Sequence, residues 1–248
     1  MMVNNLADFL KQAYEGTEGC IRLLLKKDGP DGQEIFKKLP QKVPTDQYQR
    51  LISYVSWMKD DWNIFINPAT MNGVEGEKAS IVSFPFVWVD IDYNGYGRAS
   101  GIPKEEADKL LASSELEPAF EVFTGNGKQL WFRLEEPAGK EQLEEIETVN
   151  RMLVHRLKGD RIAVPANHCL RLPFTINHKY GVEVTVERTS DRRYPLEHFN
   201  KMFSHTTREE PKKRSTGTEF QGASTGARNQ QLFKYGCSLR AKGMDDSQ

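Results

Sequence analysis

The chain has 248 residues, enough for one large domain or two modest ones with a hydrophobic core. Its formal net charge of -1 excludes an overall basic balance, so any binding to nucleic acid must come from local patches. The three widely spaced cysteines argue against a disulfide framework or a structural zinc site, and the absence of a signal peptide and of a membrane-length apolar stretch predicts a cytoplasmic protein.

The first third of the chain alternates patterns that are typical of helices and of strands. Apolar residues recur at helical spacing in two segments, and runs rich in Ile, Leu and Phe predict strands between them. The predicted elements are helices over 5–14 and 45–58, strands over 20–26 and 62–68, and a loop over 69–80.

A run of β-branched and aromatic residues, Phe86–Asp92, predicts the central buried strand. Because side chains alternate across a strand, Asp90 and Asp92 share a face with Trp88 and lie about 7 Å apart along the backbone. Two carboxylates on one face repel each other, and a divalent cation between them removes that cost, since hard cations prefer carboxylate oxygens. The pair therefore indicates a metal site, and the alternative is two exposed acids at the end of a strand.

Beyond the central strand, helical and strand patterns continue to about residue 205. The turn Thr124-Gly125-Asn126-Gly127 indicates a hairpin between two strands. Its glycines leave backbone N–H groups accessible to a phosphate, although an ordinary hairpin turn has the same composition. The predicted elements are helices over 103–114, 139–157 and 195–203, and strands over 119–123, 128–134 and 183–187.

A third polar stretch brings Asp160, His168, Arg171 and Lys179 together within twenty residues. Arg171 offers a planar fork for phosphate oxygens, and Lys179 a mobile point charge. Strict alternation places His168 and Arg171 on opposite faces, so both reach one ligand only if the chain bends before Pro173. Taken alone, a histidine such as His168 is more often a surface or core residue than a ligand.

The end of the sequence has a different character. Residues 206–225 are polar and rich in Gly, Ser and Thr, which predicts a linker. Residues 226–248 predict an amphipathic helix with Leu232, Phe233 and Leu239 on its apolar face. Because one helix cannot bury its own apolar face, we expect this segment to begin a truncated helical domain.

Three of these stretches, in this order, resemble the motifs of the archaeo-eukaryotic primase superfamily, particularly its plasmid and phage primase-polymerase branch. Val89–Asp92 matches the first motif, a hydrophobic residue followed by Asp-x-Asp. Gly127–Gln129 aligns with the second, a Gly/Ser-rich turn followed by Ser-x-His. Asp160 precedes Arg171 by eleven residues, as in the third motif, and Arg171–Lys179 matches its Arg-Leu-Pro-Gly-Thr-x-Asn-His-Lys text except at one position. Gly226–Phe233 resembles the start of the small helical domain that often follows.

The resemblance implies an α/β (α+β) fold, with a catalytic domain over 1–205. In it, an amino-terminal α/β unit over about 1–80 joins an RRM-like antiparallel sheet with flanking helices over about 81–205. The implied activity is that of a metal-dependent DNA primase and polymerase, a nucleotidyltransferase. It would make primers from dNTP or NTP on single-stranded DNA template during replication of a plasmid, phage or mobile element. A helicase domain or protein is implied as a partner.

The resemblance also implies roles for individual residues. Two Mg²⁺ or Mn²⁺ ions would be held by the three catalytic acids, Asp90, Asp92 and Asp160. Binding of the nucleotide is implied for Gly125, Gly127, Lys128, Gln129, His168, Arg171 and Lys179.

Two positions depart from the family pattern. Gln129 stands where the family commonly has the His of Ser-x-His, and Phe174 replaces a frequent Gly. Since Arg133 shares the predicted face of Gln129, we expect it to supply part of the missing positive charge. The departures leave a second hypothesis open, a primase-fold module that binds origin or single-stranded DNA without polymerising. A nuclease or rolling-circle initiator is disfavoured, because initiators need a His-x-His pair that the sequence lacks.

Overall fold

The computed structural model describes residues 3–29, 33–38, 43–73, 75–94 and 101–204. The predicted linker over 206–225 and the predicted helix over 226–248 lie outside these residues. In the described part of the chain the helices are α1 (Leu6–Tyr14), α2 (Gln49–Met58), α3 (Lys104–Ser113), α4 (Leu143–Leu157) and α5 (Leu196–Ser204). All five agree with predicted helices to within a few residues.

The strands of the described residues vary widely in length. They are β1 (Cys20–Ile21), β2 (Leu23–Asp28), β3 (Glu34–Lys38), β4 (Val43–Pro44), β5 (Asn63–Ile66), β6 (Thr70–Met71), β7 (Ile81–Asp92), β8 (Phe120–Phe123), β9 (Gly127–Gly139), β10 (Leu170–Arg171), β11 (Ile176–Asn177), β12 (Val182–Glu183), β13 (Thr185–Thr189) and β14 (Arg193–Tyr194). The predicted loop over 69–80 is wrong at Thr70–Met71. A two-residue strand has no readable period, and only its pairing with β7 makes it a strand.

The main sheet has eight strands in the order β13-β8-β9-β7-β6-β1-β4, with β14 joined to β9. Its centre is the antiparallel pair β7 and β9, in which Trp88 lies opposite Trp131 and Asp90 opposite Gln129. Residues opposite each other share a face. Val89 and Ile91, on the other face, are fully buried, as the alternation predicts.

Helices cover both faces of this sheet. On the face that carries Asp90, α1 packs Phe9 against Phe120 and Trp131, with ring centroids 5.0 and 5.7 Å apart. On the opposite face, Phe132 of β9 contacts Phe199 of α5, and α4 packs against both β7 and α5. The aromatic cluster under α1 therefore lies directly beside the aspartates along the sheet.

A second sheet has four strands in the order β10-β5-β2-β3. Leu23, Leu25, Ile64 and Ile66 point to its buried side and are at most 1% exposed. Strand β10 comes from the third polar stretch and pairs with β5, Arg171 lying opposite Phe65. The third motif is thereby attached to the amino-terminal part of the chain, while its neighbour Asp160 stays beside β7.

Two further predictions concern cell location. None of the described helices is long and apolar enough to cross a bilayer. Neither Cys20 nor Cys169 forms a disulfide among the described residues, and Cys237 lies outside them. The cytoplasmic location stays a prediction.

Candidate active site

The third acid reaches the central strand through the main chain. The Asp160 N–H donates to the Asp90 carbonyl oxygen at 2.7 Å. Gly159 makes this approach possible, since a Cβ there would lie 2.3 Å from Val89 Cγ2 and 2.7 Å from the Asp90 carbonyl oxygen. Asp160 therefore lies beside Asp90 rather than across the sheet from it.

The segment that follows Asp160 is held against the same strand. The Trp88 indole N–H donates to the Ala163 carbonyl oxygen at 2.8 Å. The Trp88 main-chain N–H donates to the Asn150 side-chain oxygen at 2.9 Å. Asn150 on α4 is fully buried, so α4 and the turn Arg161–Ala163 together position Asp160.

The charges around Asp90 converge on its carboxyl group. Burial, then the charges of Asp92 and Asp160, raise the pKa of Asp90 to about 7. The Arg171 charge and a hydrogen bond from the Gln129 side chain act in the other direction. Burial penalises the ionised form and nearby like charges do so too, which is the electrostatic pattern of acids that share a site.

The three carboxylates do not form a closed cluster. Among the described residues, no three His, Cys, Asp or Glu side chains stand close enough to enclose a metal ion. The Asp160 carboxylate accepts a hydrogen bond from the Ile162 N–H at 2.9 Å, which turns one oxygen towards its own loop. The buried Gln129 Oε1 has no hydrogen-bond partner in the described part of the chain. Carboxylates with an amide oxygen form the hard-oxygen donor set that suits Mg²⁺ or Mn²⁺, so the residues present fit such ions.

The glycine turn is built as a tight hairpin between β8 and β9. The Thr124 N–H donates to the Gly127 carbonyl oxygen at 3.0 Å, and Gly125 has a φ of +97°. A Cβ at Gly127 would lie 2.3 Å from the Ile91 carbonyl oxygen. The Asn177 side-chain amide donates to the Thr124 carbonyl oxygen at 2.6 Å, so the β11–β12 hairpin fixes the turn.

Lys179 lies in the turn of that hairpin and is exposed. Its ammonium group is 5.2 Å from the centroid of the Tyr180 ring. The Tyr180 hydroxyl accepts a hydrogen bond from the Asn126 amide at 3.3 Å. The structure therefore brings Lys179 to the glycine turn.

Arg171 is held in place from two sides. Its Nη1 donates to the Asn63 side-chain oxygen at 2.9 Å, and its guanidinium lies 4.9 Å from the centroid of the Phe65 ring. Because its charge also lowers the pKa of Asp90, the guanidinium lies within electrostatic reach of the aspartates. A fork that is oriented before a ligand arrives loses less conformational entropy when it binds a phosphate.

His168 lies next to Asp160. Burial lowers the pKa of His168, and the Asp160 charge opposes that shift. The chain bends just before it, where the His168 N–H donates to the Pro165 carbonyl oxygen at 2.9 Å. His168 and Arg171 consequently interact with acids of the same site, although they would point to opposite faces of a continuous strand.

Solved structures resemble this arrangement in fold. The primase-polymerase AEP domain of cyanophage S-2L aligns with a TM-score of 0.56 at 11% identity, over 78% of this chain and 94% of that chain. The catalytic domain of primase RepB′, solved in complex with initiator DNA, aligns with a TM-score of 0.53 at 16% identity, over 83% and 97%. A structure of primase RepB′ aligns with a TM-score of 0.52 at 16% identity, over 94% and 67%. The chain has the archaeo-eukaryotic primase fold. No family model and no curated protein matches the sequence.

One predicted site residue lies on the wrong side of the primase fold. Lys128 is opposite Ile91 in the ladder, so its side chain points away from the aspartates. It is 1% exposed and forms ion pairs with Glu121 and, at 2.6 Å, with Asp108. The expectation that Lys128 binds the nucleotide is therefore corrected, because strand alternation separates it from its neighbour Gln129.

Arg133 does not supply the charge that Gln129 lacks. Its guanidinium donates to the Gln12 carbonyl oxygen and lies 4.9 Å from the centroid of the Phe86 ring. Trp131 stands between it and Gln129 on the same face. Burial lowers the pKa of Arg133 to about 10. The expectation is wrong because a shared face does not bring together residues that are four positions apart on a strand.

The second departure from the family pattern has a backbone explanation. Phe174 has a φ of +64°, in the left-handed region where glycine is the usual residue. A non-glycine residue pays about 1–2 kcal/mol there. The Phe174 ring packs against the hydrophobic core and its N–H donates to the Val184 carbonyl oxygen at 2.7 Å, which offsets this cost.

Three asparagines that position the site were missed in the sequence. Asn63 holds Arg171, Asn150 holds the central strand, and Asn177 holds the glycine turn. Asn150 had a readable signal, because it interrupts the apolar stripe of a long helix next to Val149 and Leu153. Asn63 lies in a short strand and gave none, whereas Asn177 belongs to the third-motif text but had no role assigned to it.

Proposed function

We propose that the chain is a metal-dependent nucleotidyltransferase that primes and extends DNA on a single-stranded template. The observation that carries the proposal is the hydrogen bond from the Asp160 N–H to the Asp90 carbonyl oxygen. It brings a third acid, some 70 residues along the chain, to the Asp90–Asp92 pair in a fold shared with primases. Three acids around one strand end have little structural use without a cation.

Each residue of the site then has a chemical role. Asp90, Asp92 and Asp160 would hold two Mg²⁺ or Mn²⁺ ions. When bound, such ions supply charge stabilisation at the α-phosphate and at the departing pyrophosphate. The Gln129 amide orients the Asp90 carboxylate, and Arg171, with Lys179 and the Gly125–Gly127 turn, binds the triphosphate.

Primer extension and de novo synthesis on single-stranded DNA test the proposal directly. Labelled dNTP and NTP are supplied in parallel with Mg²⁺ or Mn²⁺, so the assay also reports the preferred nucleotide. Synthesis that depends on both template and metal supports the proposal. A folded protein that synthesises nothing with either metal and either nucleotide contradicts it.

Arg171→Ala is expected to weaken nucleotide binding by about 1.5–3 kcal/mol, the contribution of a charged hydrogen bond. Binding is measured by titrating nucleotide into protein without template. Affinity for single-stranded DNA should hardly change, because the guanidinium lies within electrostatic reach of Asp90, where we expect the nucleotide to bind.

A lysine at the same position separates charge from geometry. Arg171→Lys keeps the charge but loses the planar fork that binds Asn63 and stacks on Phe65. It should recover only part of the lost affinity. Loss of DNA binding with unchanged nucleotide binding would reverse the assignment.

The second candidate function is a module that binds DNA without polymerising, and Gln129 is the observation that favours it. A family histidine can carry charge, whereas Gln129 is neutral, 2% exposed and committed to Asp90. The near-neutral net charge does not separate the two functions.

Substitutions at Gln129 distinguish the candidates. Gln129→Ala removes a hydrogen bond to a charged group and should reduce synthesis by about 10- to 100-fold. Gln129→His should change it less and make activity fall as pH rises through about 6.5, where imidazole loses its charge. If the wild type is inactive and Gln129→His restores synthesis, the binding module is the correct function.

The remaining roles rest on the same proposal. A primase of this kind would act in replication of a plasmid, phage or mobile element in the cytoplasm, beside a helicase domain or protein. Initiator DNA in the RepB′ catalytic-domain structure supports DNA as the partner.

A further inference from the structure

The outward side of the four-stranded sheet carries side chains in two parallel rows. Leu23, Leu25, Ile64 and Ile66 occupy the buried side, so their neighbours along β2 and β5 point outward. Ladder pairing extends this outward face across all four strands. One row runs Arg171–Phe65–Leu24, and the next runs Asn63–Lys26–Phe36.

Aromatic and cationic groups dominate these two rows. Phe36 is 56% exposed, and the Lys26 ammonium lies 5.7 Å from the centroid of its ring. Phe65 is half-buried and carries the Arg171 guanidinium. Lys26 also pairs with Glu34, the acid at the far end of the face. A large apolar ring left exposed on a sheet, next to a cation, is what single-stranded nucleic acid binds by stacking and charge.

The face is continuous with the candidate active site. Arg171 belongs to its first row and lies within electrostatic reach of Asp90. Phe65 lies on β5 in the first row, and Phe36 lies on β3 in the second row, two strands away. Strand and residue spacings place them about 12 Å apart, which leaves room for a separate base on each ring. A chain that crosses the sheet from Phe36 to Arg171 therefore ends within electrostatic reach of Asp90.

We propose that this outward face, formed by Phe36, Lys26, Leu24 and Phe65, guides single-stranded DNA template to the aspartates. The inference rests on the proposed polymerase function for its direction, but binding to the face does not require catalysis. Bases stack on Phe36 and near Phe65, and Lys26 exchanges its solvent-accessible ion pair with Glu34 for a backbone phosphate. Arg171 lies at the boundary between the template-binding face and the nucleotide-binding site.

The test is equilibrium binding of a labelled single-stranded oligodeoxynucleotide, without nucleotide or metal, followed by fluorescence anisotropy. Phe36→Ala should weaken binding at least about fivefold, the lower end for loss of one stacked base. Trp57→Ala is the matched control, because Trp57 is 75% exposed but lies on α2. It should bind DNA as the wild type does.

A second variant tests the same face independently if Phe36→Ala folds poorly. Lys26→Gln should reduce the slope of log affinity against log salt by about 0.7, the value for one phosphate contact on a single strand. Wild-type affinity in Phe36→Ala and an unchanged salt slope in Lys26→Gln would overturn the proposal. So would a change in oligomeric state with DNA affinity intact, which would make the face a contact between copies.

These outcomes are separable from those of the polymerase proposal. If the wild type synthesises DNA but Phe36→Ala binds template normally, only the path across the sheet is wrong. If Phe36→Ala loses DNA binding in a protein that synthesises nothing, the face is correct and the polymerase function is not.

Discussion

Asp90→Asn is expected to abolish nucleotide incorporation and, in metal-free buffer, to make the protein more stable at neutral pH. Burial and the neighbouring acids raise the pKa of Asp90 to about 7, far above its value in an unfolded chain. Between about pH 4 and pH 7 the folded state therefore holds a proton that the unfolded state has lost. Stability of the wild type falls as pH rises through this window.

The variant has no such group to ionise. Its free energy of unfolding should exceed that of the wild type by at most about 4 kcal/mol above pH 7, and the gain should vanish near pH 4. Urea denaturation with a chelator at both pH values measures this. Asp61→Asn, at an exposed position, is the control and should move neither stability nor activity. Equal stabilisation at both pH values would mean that ionised Asp90 does not destabilise the folded wild type. Continued synthesis by the variant would exclude Asp90 from catalysis.

Lys128→Met is expected to lower the free energy of unfolding by about 3–5 kcal/mol. The substitution leaves the Glu121 carboxylate, 6% exposed, without its partner, and an unpaired buried charge is expensive. Lys104→Met is the matched control. Lys104 also pairs with Asp108, at 2.9 Å, but it is 51% exposed, so its loss should cost under about 1 kcal/mol.

A double variant shows whether the cost comes from Glu121. Lys128→Met with Glu121→Leu removes both buried charges and should recover most of the lost stability. Its affinity for nucleotide should match that of the wild type, since Lys128 points away from Asp90. If the double variant folds but fails to bind nucleotide, Lys128 belongs to the nucleotide site after all.

Much of the site could be predicted because its signals are local. Alternation alone puts Asp90 and Asp92 on one face, and the same rule applied to Gly127–Gln129 shows that Lys128 and Gln129 cannot share a ligand. What alternation leaves open is which of the two faces the acids. That depends on the register of β9 against β7, and a one-residue slip exchanges the faces.

The rest of the site depends on contacts between distant parts of the chain. Strand β10 has two residues and becomes a strand only against β5, so neither its pairing nor the place of Arg171 above Phe65 has a local pattern. Asn63 likewise becomes meaningful only once Arg171 is beside it. Phe174 is the opposite case. The motif comparison identified the position as unusual, but only the positive φ in the structure explains why glycine is the usual residue there.

The hydrogen bonds that Trp88 and Asp90 make to Asn150 and Asp160 have a second consequence, for aggregation. They occupy the side of β7 that faces away from β9, where bare main-chain groups of this largely apolar strand would otherwise pair with a strand of another molecule. Local unfolding of the turn after α4 would therefore do more than dismantle the acidic site. It would expose unpaired main-chain groups along β7, so conditions that locally unfold this turn should promote self-association before the protein unfolds as a whole.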